Sequence, residues 1–175
     1  MKVIASHNGL AATRLAYETL SSGGDTLDAC VAAATLVAVD PSEHTVGYGG
    51  PPDAHGVVQL DAAIMHGPTH RGAGVAAMEG IRHPTKVARL LLEQTNRVLL
   101  VGEGAKRFAL ANGFTEENLL TDEARRQWLH WKRSRSTIDD WLPPENGTAK
   151  FDPDFLRPTG TVHVYDRVRN AYQPV

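Results

Sequence analysis

The sequence has a single cysteine in 175 residues, Cys30, which excludes an internal disulfide framework and leaves the redox compartment open. It stands in LDACVAAATLVAV, where a small apolar residue is expected, and reads as core packing. Neither sign of charge dominates. With 20 acidic and 18 basic residues interspersed, the formal net charge is -2, so nothing draws the chain to nucleic acid or to an anionic membrane. No segment approaches the roughly 18 uninterrupted apolar residues that a membrane span needs. The opening MKVIASHNG carries one lysine and an apolar stretch too short for a signal peptide. A soluble chain follows, cytoplasmic or exported after removal of a signal. Internal repeats are also missing.

What is present is a composition of ordinary globular type, 42% hydrophobic and 22% charged, at a length suited to one domain. KVIAS predicts a short strand, and GLAATRLAYETLSSGG predicts a helix closed by Gly23 and Gly24. Asp25 and Asp28 flank the next start like a capping pair. TLDACVAAATLVAV is apolar on every face, which predicts a helix buried on all sides. After the loop DPSEHTVGYGGPPDAHG, VVQLDAAIMHG and GAGVAAMEGI predict two partner strands. Pro84 suits the first turn of a helix over TKVARLLLEQT, and RVLLVGEG reads as a buried strand. GAKRFALANGF predicts a helix ended by Gly113 in a left-handed conformation, and TDEARRQWLHWKR a short amphipathic one starting at Thr121. Trp128 and Trp131 lie one turn apart there and read as packing. From Ser134 to Pro158 four prolines and scattered charge predict a linker, and TGTVHVYDRVRNAYQPV predicts a hairpin turning near Arg169 and Asn170. Residues 1–133 thus form the body of the fold, and 134–175 a linker and tail.

Several motifs carry chemistry only on the surface. VGEGAKRFA has the strand, glycine turn and helix order of a phosphate loop, but lacks a third glycine at the fingerprint spacing and a Lys-Ser/Thr pair. His66 and His70 have a ligand-like spacing, yet Gly67 and Pro68 break any helix between them, so a solvated loop is expected and no metal. NGT at Asn146 matches a glycosylation acceptor pattern that arises often by chance. HTVGYGGPPDAHG is different. Gly47, Gly49 and Gly50 around Tyr48 allow left-handed backbone and close approach of another segment or a ligand, and structural bracing and ligand contact both fit.

HTVGYGGPPDAHGVVQLDAAIMHG, followed by GAGVAAMEGIRHPTKVARLLLEQTNRVLLVGEGAKRFALANGF, resembles the α subunit of the glycosylasparaginase family, the aspartylglucosaminidase branch of the N-terminal nucleophile (Ntn) hydrolases. The resemblance runs from about Val3 to Trp141, with GGDTLDAC, HTVGYGG, LDAAIM, KVARLL and LLVGEGAKRFA in one order. It implies an α/β fold of αββα four-layer sandwich type. It also implies a precursor that cuts itself, so that the new N-terminal threonine of a β subunit becomes the nucleophile. An adjacent α-amine can take the hydroxyl proton without a separate histidine. Members hydrolyse the amide between a sugar and an asparagine side chain through an acyl-enzyme, relatives accept asparagine or isoaspartyl peptides, and no cofactor is needed. The implied partners are the β subunit and a second heterodimer, in an (αβ)2 assembly.

Most of the family's catalytic and substrate-clamping residues lie in the β part. Within this chain, Thr161 in PTGTVHV matches a Gly-Thr-Val form of the cleavage site, but only 14 residues follow it. That favours a threonine at the start of a partner chain, with Thr161 as the fallback. Aligning GLAA puts Ser6 where glycosylasparagine-cleaving members often carry tryptophan, with Asn8 beside it, so Ser6, Asn8, Gly47, Tyr48, Gly49 and Gly50 are the expected substrate-binding positions. Loss of a large aromatic wall changes the pocket and raises the asparaginase or isoaspartyl peptidase alternative. Two readings of another kind stand beside these: a non-catalytic anion-binding module on VGEGAKRFA, and an inactive fragment that serves only as a packing partner.

Overall fold

The computed structural model describes residues 1–134, 163–166 and 171–174. Strand β1 (Ile4–Ala5) passes through a 3-10 turn at His7–Gly9 into helix α1 (Leu10–Ser21), and α2 (Thr26–Ala38) follows. Strands β2 (Gln59–His66) and β3 (Arg71–Glu79) are joined by a 3-10 turn at Gly67–Thr69; α3 (Pro84–Gln94), β4 (Leu99–Val101), α4 (Gly102–Ala111) and α5 (Asp122–Ser134) complete the body. Strands β5 (His163–Asp166) and β6 (Ala171–Pro174) pair antiparallel, as the expected hairpin requires, and β5 also pairs antiparallel with β1. The hairpin turn, the acceptor pattern at Asn146, Thr161 and most of the linker lie outside the described residues. The class is α/β.

The second sheet, in the order β2-β3-β4, positions the rest. β2 and β3 run antiparallel, and β4 joins β3 in parallel after the α3 crossover. Alternation along β2 sends Leu60, Ala62 and Ile64 to one face and Asp61, Ala63 and Met65 to the other. Helices cover the first face: Val75, Met78 and Ile81 pack with Val87 and Ala88 of α3 and Ala105 and Ala109 of α4. Beside them Leu27 and Val31 of α2 meet Leu91, Leu92 and Ala73. The apolar stripe of α3 has the expected i, i+3, i+4 spacing, and Pro84 occupies its first turn. Gly113, at φ +86°, follows the end of α4 in the left-handed conformation read from the sequence.

The opposite face of this sheet is open among the described residues. Met65, Leu99 and Val101 are 74%, 56% and 53% exposed, and the small residues Ala63, Gly72 and Gly74 lie in register between them. RVLLV therefore forms a strand as expected, but one buried on a single face only.

Helix α2 departs from its reading in the same way. Asp25 caps it, its Oδ1 accepting from the amides of Leu27 and Asp28 at 2.7 and 3.4 Å. Asp28 makes no reciprocal cap and instead takes an ion pair from Arg89 at 2.5 Å. Leu27, Ala29 and Val31 are buried, but Leu36 is 41% exposed and Cys30 lies on the exposed side. Burial follows the neighbours a helix has rather than its hydropathy. Among the described residues, α1 covers one flank of α2 and α3 with the sheet covers another, and Cys30 faces neither, so it is a surface thiol rather than a core residue.

Candidate active-site loop

The glycine loop is built against the end of α2. A Cβ on Gly47, whose φ is +69°, would stand 2.2 Å from the carbonyl oxygen of Ala38, so only glycine fits. This closeness lets the Tyr48 amide donate to the same Ala38 oxygen at 2.8 Å. Gly49, at φ +87°, donates its amide to Leu119 O at 3.0 Å, and the Gly50 amide closes the turn on Gly47 O at 3.0 Å. All three glycines are buried. The loop is thus tied to α2 on one side and to the segment before α5 on the other.

The rest of PPDAHG is held by α5. Asp53 Oδ1 accepts from the amides of His55 and Val57 at 2.8 and 2.9 Å, a self-contained turn. The Trp128 ring covers Gly56, where a Cβ would come within 2.9 Å, and Lys132 donates to Ala54 O at 2.8 Å while standing over the same ring. Trp128 is packing, as expected for the stripe, whereas Trp131, one turn on, is 40% exposed. Thr121 Oγ1 accepts from the Ala124 amide at 3.2 Å at the start of α5.

Tyr48 is half-buried against Val58, Leu60, Leu119 and Leu120. The Arg82 guanidinium lies 3.9 Å from its ring centroid and pairs at the same time with Glu117. The Glu117 amide donates to Gly80 O at 2.9 Å, so this stack joins the loop, the end of β3 and the segment after α4. His83, next in the chain, has its pKa lowered by burial first and then by Lys86 and Arg82.

Ser6 and Asn8 meet in front of the residues leading into this loop. Ser6 Oγ donates to Asn8 Oδ1 at 2.5 Å. Glu43 accepts from the Thr45 hydroxyl and from the Thr45 amide, the latter at 2.9 Å. The Thr45 hydroxyl is the main influence holding the Glu43 carboxyl below its ordinary value, and the Asn8 side chain and His7 act in the same direction. The structure thereby brings Asn8, with Ser6, to the side of Glu43, and joins Tyr48 through Arg82 to Glu117, both links beyond sequence reading. Arg82 sits 34 positions from Tyr48, and no local pattern marks such a contact.

A strained point lies on the open sheet face nearby. Ala77 has φ +47° at a bulge opposite Asp61, whose Oδ1 accepts from the Ala77 amide at 2.6 Å. LDAAIM thus contains a carboxylate that sets the local backbone.

The other candidates fare differently. His66 is not in a solvated loop: it ends β2, half-buried, with Nδ1 2.9 Å from Thr69 Oγ1 and Nε2 3.6 Å from Asp25 Oδ2. His70 follows the turn at φ +53°, and among the described residues no group of three or more His, Cys, Asp or Glu could hold a metal ion. Glu103 stands in the first turn of α4, where a phosphate would bind, and its charge opposes an anion there. No helix among the described residues is long and apolar enough to cross a membrane.

An α/β layer with a glycine loop pinned at the end of its sheet is the class of structure defined so far. Comparison with known proteins narrows it: the family model described as Asparaginase matches residues 4–162. The chain is 48% identical over 126 residues to an N(4)-(beta-N-acetylglucosaminyl)-L-asparaginase of Elizabethkingia miricola, covering 72% of this chain and 37% of that protein. Proteins of the same name are 35% identical in Rattus norvegicus, over 87% of this chain and 46% of the relative, and 40% identical in Mus musculus, over 75% and 35%. The chain belongs to the glycosylasparaginase family of Ntn hydrolases. It spans less than half the length of these relatives.

Proposed function

We propose that this chain is the α part of a threonine-nucleophile amidohydrolase that cleaves the side-chain amide of asparagine derivatives. Two observations carry the reading: the buried glycine loop, Gly47 to Gly50, pinned to the end of α2 and to Leu119, and an apolar sheet face that the described chain leaves open. Covering Met65, Leu99 and Val101 would contribute about 1.5–3 kcal/mol each. A second sheet from the rest of the protein, laid on that face, would complete an αββα four-layer sandwich. Ser6, Asn8 and Gly47–Gly50, with Tyr48, then line the substrate site.

The nucleophile is the N-terminal threonine of a β subunit released by autoproteolysis, with Thr161 as the fallback within this chain. The threonine hydroxyl attacks the amide carbon while its own α-amine takes the proton. That proton passes to the departing amine as the C–N bond breaks, and water then hydrolyses the ester to regenerate the hydroxyl. The assembly is an αβ heterodimer that pairs into (αβ)2.

A second reading, asparaginase or isoaspartyl peptidase, is favoured by the small polar pair Ser6 and Asn8, which offers no aromatic surface for a sugar. Assay of the full-length protein on glycosylated asparagine, free asparagine and an isoaspartyl dipeptide separates the two. Hydrolysis of none of them removes both.

A further inference from the structure

We infer that Arg82 is a positioning residue for the substrate loop, acting through Tyr48; this rests on the loop being the wall of the substrate site. The backbone of Arg82 is fixed on both sides, by fully buried Ile81 before it and by α3, which starts at Pro84, after it. Its long side chain is then held by two groups from distant parts of the chain, the Tyr48 ring at 3.9 Å and the Glu117 carboxylate. Glu117 is itself tied to Gly80, two residues before Arg82. Tyr48 is therefore clamped to a rigid corner of the sheet, while its own backbone is anchored to Ala38.

The chemistry of the clamp is specific to arginine. A planar guanidinium can lie flat on a ring while it pairs with a carboxylate, and an ammonium cannot do both in the same geometry. Among the described residues, buried Arg82 Nε has no hydrogen-bond partner, nor does His83 Nδ1 beside it. The alternative of a purely structural brace would act on folding and not on substrate.

The test uses the full-length protein. With the best of the three amide substrates, R82M is expected to raise KM about tenfold while kcat moves less than about threefold, the split that marks binding to the loop lost equally from ground and transition states. R82K, which keeps the charge and also serves if R82M does not accumulate, should raise KM about threefold, because it loses the planar fork. In a Y48L background the KM effect of R82K should vanish, since the two act as one unit. A fall in kcat with KM unchanged, or an R82K effect that persists undiminished beside Y48L, overturns the inference. A wild-type protein that hydrolyses none of the substrates removes the hydrolase reading and this inference together, whereas an active wild type with unaltered R82M and R82K kinetics removes the inference alone.

Discussion

Gly47 lies against the backbone of Ala38, close enough that a Cβ would stand 2.2 Å from the Ala38 oxygen and 2.6 Å from its Cα. A β-carbon there must push α2 or the loop aside, in a conformation that L-residues avoid. Gly47→Ala should therefore destabilise by about 2–4 kcal/mol, against about 1 kcal/mol for Gly23→Ala, which has φ +89° but open space around it. Thermal melts of the two variants against wild type check the ordering. Equal losses would mean that the close approach to α2 is not a constraint.

The open sheet face gives a contrast between two methionines. Met78 is fully buried in the helix-covered core, and Met78→Ala should cost about 2–5 kcal/mol in any form of the protein. Met65 is 74% exposed among the described residues, so Met65→Ala should cost under about 0.5 kcal/mol in the 175-residue chain alone. In the full-length protein the same change should cost several times more, because a covering layer turns it into a core substitution. Denaturant unfolding of both lengths checks this, and an equal, small effect in both would leave the face uncovered.

Asp61 is the residue that holds Ala77 in its strained bulge. Asp61→Ala removes the acceptor for the Ala77 amide and should cost about 1–2 kcal/mol. Asp61→Asn, which keeps a carbonyl acceptor, should recover most of it. Hydrogen exchange at the Ala77 amide reads the change directly, with faster exchange in the alanine variant only.

The pH dependence turns on His83. Its folded-state pKa lies below the usual imidazole value of 6.5, because burial and the nearby Lys86 and Arg82 disfavour the cation. The unfolded chain therefore takes up the proton first as pH falls. The contribution is complete above about pH 6.5 and is lost as pH drops toward the folded value. His83→Gln should flatten the decline in melting temperature between pH 7 and 5, while leaving the further loss at lower pH where Glu43, with its lowered pKa, becomes protonated. An unchanged slope would mean that His83 is not the titrating group.

Local signals were the readable part of this chain. Pro84 at a helix start, Gly113 past a helix end, the Asp25 cap and the two partner strands all rest on interactions within a few residues, and the structure has them where the pattern put them. Hydropathy misled at Cys30 and along RVLLV, since an apolar sequence shows that a face prefers cover without showing which neighbour supplies it. The site divides in the same way. The three glycines of the loop announced a close approach, and Gly47 on Ala38 bears that out. Its partners Arg82, Glu117 and Leu119 come from sequence separations that only the fold resolves.

The most direct test is the intact mass of the purified full-length protein, with N-terminal sequencing of every polypeptide found. Two polypeptides, the second beginning with threonine, are expected, together with loss of amide hydrolysis when that threonine is replaced by alanine. A single uncut chain that hydrolyses the amide, or a second polypeptide beginning with another residue, would contradict the threonine-nucleophile reading.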